Sequence, residues 1–370
     1  MSSHVPFLAV RPDDQFDTDV KKTPRVPRSL RANASSPPSK TMDSPPPLTP
    51  RTYAASRIPA AIRFPLVLIL SFSLSTLLHS LAAEYTGLQL ANASRALDQD
   101  WQIATLVGWK VTELTTAWIA GYDYEDIAAL TILTNQPYYY LVNAFYGVDL
   151  FAVALSLAFD VVVIAIPFAL LRPLTRAHDP NAPRSVNQVL ATDWQIMMWS
   201  AALGATVYAV AFSITYYAHY TSFMVVHFDD IPNVGARDST VGQLMQLFGA
   251  TGIAVMLFLF RPAISAAGKP QLTEQRVRPK KAKKFNPETA TLGETFAYNL
   301  GYGPSGFSHR VEVLLKRTSV VAACTFANTF VRVYGTVDKS DAPGALAYGG
   351  IWAAAHVLVG VGYGMLSNDE

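Results

Sequence analysis

Three ionisable side chains, Asp160, Arg332 and His356, lie inside long apolar segments of this sequence. A charged group in such a segment is costly in lipid, so each one marks a candidate site. A carboxylate and an imidazole at the same depth could exchange protons, and a carboxylate beside a guanidinium could form an ion pair. These residue types favour proton or ion chemistry inside a membrane.

The depth of each group follows from its position along a helix, which rises about 1.5 Å per residue. Asp149 and Arg332 then lie near the outer boundary, and Asp160, Asn328 and His356 lie near the midplane. An opposite charge at matched depth is the most favourable partner for a buried carboxylate. The sequence therefore predicts an outer Asp149–Arg332 ion pair and a midplane polar cluster of Asp160, Asn328 and His356. The cluster could be a proton or cation pathway, or it could hold helices together.

The segments around these residues have the length and composition of membrane-spanning helices. Charged residues make up 15% of the chain, against about 25% in a typical soluble domain. Six apolar stretches each approach the roughly 20 residues that cross a bilayer: 62–83, 148–171, 195–219, 241–260, 318–335 and 344–366. Backbone groups in lipid must pair within their own segment, which favours helices. The sequence predicts an all-α integral membrane protein, a polytopic helix bundle of about six spans, with seven or eight as open alternatives.

Basic residues indicate the orientation of the bundle. With a cytosolic N-terminus and alternating spans, 24 of the 29 Lys and Arg residues fall on the cytosolic side, as the positive-inside rule predicts. The predicted organisation is a disordered Pro/Ser/Arg-rich cytosolic tail at 1–60, four spans within 61–260, a basic cytosolic loop at 261–317, and two spans with a short tail at 318–370.

The segment 101–147 fits this scheme least well. It is apolar and aromatic, but Lys110 and Glu113 interrupt it one helical turn apart, where they can pair. It could lie outside as an aromatic segment, cross twice, or cross once and move the N-terminal tail outside. A double crossing would place the acidic turn at 123–126, which has no basic residue, on the cytosolic side. The charge pattern therefore favours the outer segment.

Three further patterns predict contacts with lipid, glycan and other helices. A dense basic cluster beside the membrane predicts contact with anionic lipid headgroups, with a topogenic signal as the alternative; it consists of Arg276, Arg278, Lys280, Lys281, Lys283 and Lys284. Asn92-Ala93-Ser94 follows the first span and predicts glycosylation of Asn92. Gly360 and Gly364 in the last span predict close helix packing, within one chain or in a helix-mediated oligomer.

Two functional classes stay open. One is a transport or channel-like protein that uses the Asp160 cluster. The other is a non-catalytic endomembrane scaffold or assembly factor that binds partners through its tail and basic loop. The sequence has no G-x-S-x-G elbow, no phosphate-binding P-loop and no H-E-x-x-H motif, so it leans away from an enzyme. We expect no cofactor, no metal and no nucleic-acid partner, and a location in the plasma membrane or the endomembrane system.

Overall fold

The structure, a computed structural model, describes residues 58–175, 177–179, 189–215, 221–228, 231, 248–267, 290–299, 302–303 and 306–366. The basic cluster at 276–284 lies outside the described residues, and so does the predicted tail apart from its last three residues. Within the described ranges the chain is mostly helical.

Long helices account for most of the described residues. They and the shorter helices are α1 (Ala60–Ala93), α2 (Asp100–Ala120), α3 (Tyr124–Ala144), α4 (Leu150–Leu171), α5 (Trp194–Thr215), α6 (Thr221–His227), α7 (Gly249–Val255), α8 (Arg261–Ala267), α9 (Leu292–Asn299), α10 (His309–Thr336) and α11 (Ala342–Met365). A π-helical turn, Met256–Phe260, joins α7 to α8. Two short strands, β1 (Tyr302–Gly303) and β2 (Gly306–Phe307), pair antiparallel.

Five helical segments among the described residues are long and apolar enough to cross a membrane: Ala60–Tyr85, Leu150–Leu171, Trp194–Thr215, Gly249–Ala266 and Ala342–Met365. The remaining predicted stretch, 318–335, lies inside α10, a longer helix that carries more charge. Large apolar side chains on the outside of the bundle, such as Ile69 and Leu77, are more than half exposed. A surface of this kind fits a membrane environment with lipid contact.

The predicted outer segment at 101–147 forms two long helices, α2 and α3, joined by a tight turn. Gly121 ends α2 with a φ of 82°, a conformation that glycine adopts without a Cβ clash. Asp123 begins α3, because its carboxylate accepts hydrogen bonds from the backbone N–H groups of Glu125 and Asp126. Each helix has 21 residues and is therefore about 31 Å long.

Contacts between helix termini define the two ends of the bundle. At the bridge end, two antiparallel β-bridges join the loop after α1 to the loop after α10, and the end of α6 to the start of α11. At the opposite turn end, the α2–α3 turn meets the C-terminal end of α4, where Arg172 donates to the carbonyl of Trp118 over 2.9 Å. Both α2 and α3 run between these ends, beside the other long helices.

The helix α3 lies at the centre and is buried along most of its length. On one side Tyr140 packs against Phe212, Phe248 and Trp352, each with its ring centroid 5.8 Å away. On other sides α3 packs against α4 and α10. Its Thr134 hydroxyl donates to Glu113 of α2, and its Asn135 side chain accepts a hydrogen bond from Asn328 of α10. These buried polar side chains therefore have hydrogen-bond partners on neighbouring helices.

Glycines allow α11 to approach α10 closely. A Cβ at Gly360 would lie 2.5 Å from Thr318 Oγ1, and a Cβ at Gly349 would lie 3.1 Å from the carbonyl oxygen of Phe326. A Cβ at Gly360 would therefore force a shift of Thr318, whereas one at Gly349 would fit only if its neighbours moved by a few tenths of an ångström. These two small residues of the last span face a helix of the same chain.

Candidate functional site

An ion pair between α4 and α10 lies among the polar side chains inside the bundle. Arg332 Nη1 donates to Asp160 Oδ2 over 3.0 Å. The same carboxylate oxygen accepts a hydrogen bond from the Tyr139 hydroxyl over 2.8 Å. The guanidinium also lies 4.2 Å from the ring centroid of Tyr138 and 5.0 Å from that of Tyr139. Two tyrosines of α3 therefore hold the pair from one side.

Asp149, the predicted partner of Arg332, begins α4 instead, since its carboxylate accepts a hydrogen bond from the backbone N–H of Phe151 over 3.1 Å. The carboxylate that pairs with Arg332 is Asp160, and this corrects the predicted Asp149–Arg332 pair. The end of α10 at Thr336 is one residue beyond the predicted stretch, so the different partner does not come from the position of the helix end. A long arginine side chain carries its charge well away from its own Cα, and Arg332 extends to Asp160.

Asn328 belongs to the same set of contacts as Asp160, and Asn135 of α3 links the two. Asn328 Nδ2 donates to Asn135 Oδ1 over 3.1 Å. Asn135 Oδ1 also accepts from Arg332, the partner of Asp160. From α2, the Trp109 indole donates to Asn328 Oδ1 over 2.8 Å. Four helices thus contribute to one connected group of polar side chains.

A second ion pair extends this group into α2. Lys110 Nζ donates to Glu113 Oε2 over 2.9 Å, one helical turn away. Thr134 of α3 donates to the other carboxylate oxygen over 3.3 Å, and its own carbonyl oxygen accepts from Asn328. We call the connected ionisable and amide residues the charge network: Lys110, Glu113, Asn135, Tyr139, Asp160, Asn328 and Arg332. The α3 members were missed from the sequence because that segment was placed outside the bundle.

His356 lies apart from the charge network, so the predicted midplane cluster separates into two sites. Its Nδ1 faces the Tyr208 hydroxyl, and its Nε2 is 2.9 Å from Thr325 Oγ1. All three side chains are fully buried. Both ring nitrogens are occupied by hydroxyl groups, and neither partner is Asp160. The depth match in the sequence was insufficient because α3 and α10 stand between the two helices that carry Asp160 and His356.

The members of the charge network differ in exposure. The side chains of Lys110 and Arg332 are 27% and 23% exposed, that of Asp160 is 15% exposed, and that of Glu113 is 2% exposed. The two cations are therefore its most accessible charges. An ion pair that keeps contact with its surroundings can bind a charged ligand, whereas a fully buried pair mainly joins helices.

A separate set of charges closes the turn end. Arg317 of α10 binds both oxygens of Asp126, over 2.6 and 3.0 Å, and donates to the carbonyl of Phe258 in the π-helical turn over 3.0 Å. Arg261 pairs with Glu125 over 2.8 Å. The acidic α2–α3 turn has no basic residue of its own, and it receives its counter-charges from α8 and α10.

Asp123 is buried and holds the segment after α4 against the α2–α3 turn. Its Oδ2 atom accepts from Thr175 Oγ1 over 2.8 Å and lies 2.7 Å from His178 Nδ1. Burial would raise the pKa of Asp123, but the hydrogen bond and charge of His178 outweigh burial, so the pKa lies below its usual range. Asp123, Asp126 and His178 place donor atoms within 4.8 Å of one another. Asp126 is nevertheless engaged by Arg317 and Asp123 by His178, so ion pairing accounts for these donors better than a metal does.

Comparison with known proteins gives no family for this chain. No protein-family model, no curated protein and no solved structure matches it. A functional proposal must therefore start from the geometry of the charge network and of the turn end.

Proposed function

We propose that the chain is a multi-pass membrane protein with eight spans: α1, α2, α3, α4, α5, the continuous α7–α8 helix, α10 and α11. The direction of α2 and α3 supports this number, since both run between the turn end and the bridge end. Their length of 21 residues is close to the 22 residues of the apolar helix α4 beside them. Polar side chains of α2, α3 and α10 bind one another, so these helices need no apolar surface all round.

The turn end is cytosolic in this proposal. The basic segments 172–193 and 261–317 both have termini at the turn end, which agrees with the positive-inside rule. The acidic turn at 123–126 is compatible with the cytosolic side, because Arg261 and Arg317 neutralise two of its carboxylates from neighbouring helices. The lack of basic residues in the turn is therefore no argument against a double crossing.

Cysteine labelling of sealed microsomes, whose outer face is cytosolic, tests the double crossing. In a Cys324→Ala background, we expect Ala120→Cys at the turn end to react with a membrane-impermeant maleimide in intact microsomes. Asp98→Cys at the bridge end is the matched control and should react after the membrane is permeabilised. Both native positions are exposed. Protection of the cysteine at 120 in intact microsomes would contradict the eight-span topology.

Within this topology the protein moves a small charged solute through the bundle and binds it at the charge network. The observation that carries this proposal is the position of two ion pairs, Lys110–Glu113 and Asp160–Arg332, about midway along α2 and α4. Ionisable groups inside spans are costly and typically line solute or ion pathways. Because α2, α3, α4 and α10 meet at these contacts, a movement of one helix would change access to them.

Flux into liposomes that contain the full-length protein tests transport. Trapped pyranine reports proton entry, and light scattering in potassium succinate with valinomycin reports anion entry. We expect one flux or both above the protein-free level, with a loss of at least about tenfold in the double variant Asp160→Asn/Arg332→Gln. Glu312→Gln/Lys316→Gln removes an exposed ion pair of α10 and should leave the flux unchanged. No flux in either assay would contradict transport by this protein.

A non-catalytic scaffold is the second candidate. It is favoured by the pairing inside the charge network, where each carboxylate already has a cationic partner, as in a contact that joins helices. In that case Arg332→Gln alone would reduce the amount of folded protein, and the Asp160→Asn/Arg332→Gln variant would have no flux to lose. The eight-span proposal has two further parts. The cluster at 276–284 contacts anionic lipid, and Asn92, in the last turn of α1, is glycosylated.

A further inference from the structure

We propose that the charge network binds a small oxyanion, a carboxylate or a phosphate group, between Lys110 and Arg332. Such a ligand would be the solute class of the transport function proposed above, on which its physiological role rests. The site differs from a cation pathway because its accessible groups are hydrogen-bond donors.

The contacts of Lys110 and Arg332 lead to the same turn of α3. Glu113, the ion-pair partner of Lys110, accepts from Thr134 Oγ1. Arg332 donates to Asn135, the next residue along α3. The two cations therefore approach α3 from α2 and from α10 at one level of the bundle. Each cation is paired with a carboxylate, so the four charges cancel, and an anion would bind through the remaining N–H donors of the two cations.

Both cations have N–H donors that are not used within the network. A lysine ammonium has three donors and a guanidinium has five. Lys110 uses one donor for its ion pair. Arg332 uses Nη1 for Asp160 and Asn135, and one N–H of Nη2 for a long contact of 3.4 Å with Tyr139. Among the described residues no partner is recorded for the Arg332 Nε donor, which lies on the edge that binds carboxylates and phosphates bidentately.

The carboxylates of the network offer less to an incoming cation. Glu113 is 2% exposed, and its two oxygens accept hydrogen bonds from Lys110 and Thr134. Asp160 Oδ2 already accepts two hydrogen bonds, and its side chain is less exposed than those of the two cations. A cation would therefore meet mainly positive accessible charge, whereas an oxyanion would meet unused donors.

Binding of an oxyanion would also couple to the packing of the helices. An anion on the guanidinium of Arg332 competes with Asp160 for the same positive charge. The contact between α4 and α10 would weaken as the ligand binds, and release of the ligand would restore it. Competition of this kind links occupancy of the site to a movement of α4, as transport requires.

Thermal unfolding of the purified full-length protein in detergent tests the site. The probes are sodium acetate, sodium phosphate and methylammonium chloride, each compared with sodium chloride at equal ionic strength. A ligand that binds the folded state raises Tm with a saturable dependence on its concentration. We expect acetate or phosphate to raise Tm in this manner, and we expect methylammonium to have no effect beyond that of sodium chloride.

Two double variants each remove one cation together with its counter-ion, so that no buried charge is left unpaired: K110Q/E113Q and D160N/R332Q. Each should weaken the apparent affinity for the anion at least about tenfold. The control E312Q/K316Q removes an exposed ion pair of the same kind and should bind as the unmodified protein does. Each variant is compared with its own Tm in sodium chloride, which separates binding from a change in stability.

The outcomes discriminate between ligands. Saturable stabilisation by acetate alone identifies a carboxylate solute, and stabilisation by phosphate alone identifies a phosphate-bearing one. Stabilisation by methylammonium, equal anion effects in all variants, or no stabilisation by either anion would overturn the oxyanion site. Anion binding without flux in liposomes would contradict the transport function but not the oxyanion site. Flux without anion binding would contradict the oxyanion site but not the transport function.

Discussion

Arg317→Gln is expected to lower the free energy of unfolding by about 3–5 kcal/mol, because it leaves a fully buried carboxylate without its cation. That carboxylate belongs to Asp126, which is 0% exposed and accepts both hydrogen bonds of the guanidinium fork. The guanidinium also lies 5.0 Å from the ring centroids of Tyr122 and Phe258. A glutamine amide replaces at most part of these contacts, so the turn end should open first.

The neighbouring substitution Lys316→Gln is the matched control. Lys316 pairs with Glu312 at the surface, with 72% of its side chain exposed, and such pairs contribute about 0–1 kcal/mol. Equilibrium unfolding in mixed detergent micelles compares the two variants. Arg317→Lys should fall between them, since it keeps the charge and loses the planar fork. Similar losses for Lys316→Gln and Arg317→Gln would mean that the buried pair does not stabilise the turn end.

Arg332→Gln is expected to destabilise the protein by about 3 kcal/mol, and the addition of Asp160→Asn is expected to restore most of that loss. The single substitution leaves the partly buried Asp160 carboxylate facing the rings of α3 without a counter-charge. The double variant has no unpaired charge, and Asn keeps the shape of Asp although Gln is shorter than Arg, so its cost should be well below that of the single substitution. The coupling energy of this cycle should be about 2 kcal/mol, within the range measured for residues in contact.

Asp149→Asn gives the control cycle. Asp149 caps α4 through the backbone N–H of Phe151, so its replacement should cost roughly 1 kcal/mol or less. That cost should add to the cost of Arg332→Gln without coupling, because the two residues belong to different contacts. A strong coupling of Arg332 to Asp149, together with weak coupling to Asp160, would restore the outer ion pair that depth along the helices predicted.

The apolar helices could be predicted from the sequence because their signal is local. The helices at Leu150–Leu171 and Ala342–Met365 agree closely with the predicted stretches 148–171 and 344–366. A run of about 20 apolar residues has few alternatives to a helix in lipid, whatever its neighbours are. Capping signals are local as well, and Asp123 begins α3 in this manner.

The position of α3 could not be predicted in the same way. Its Thr, Asn and acidic residues lower its hydropathy, and a window along the chain cannot detect that Asn328 and Arg317 from α10 lie beside them. The acidic turn appeared to lack basic residues because its counter-charges come from residues more than 130 positions away in the sequence.

The sequence by itself determined that this protein is a helical chain with apolar segments of spanning length, and that Asp160 and His356 are polar groups inside such segments. It also placed Asn328 and Arg332 on one further predicted helix. The tertiary structure decided their partners. Asp160 binds Arg332, Asn328 joins them through Asn135, and His356 belongs to a different site. These partners depend on which helices are neighbours and on their offset along the bundle, and the hydropathy of a single segment contains neither quantity.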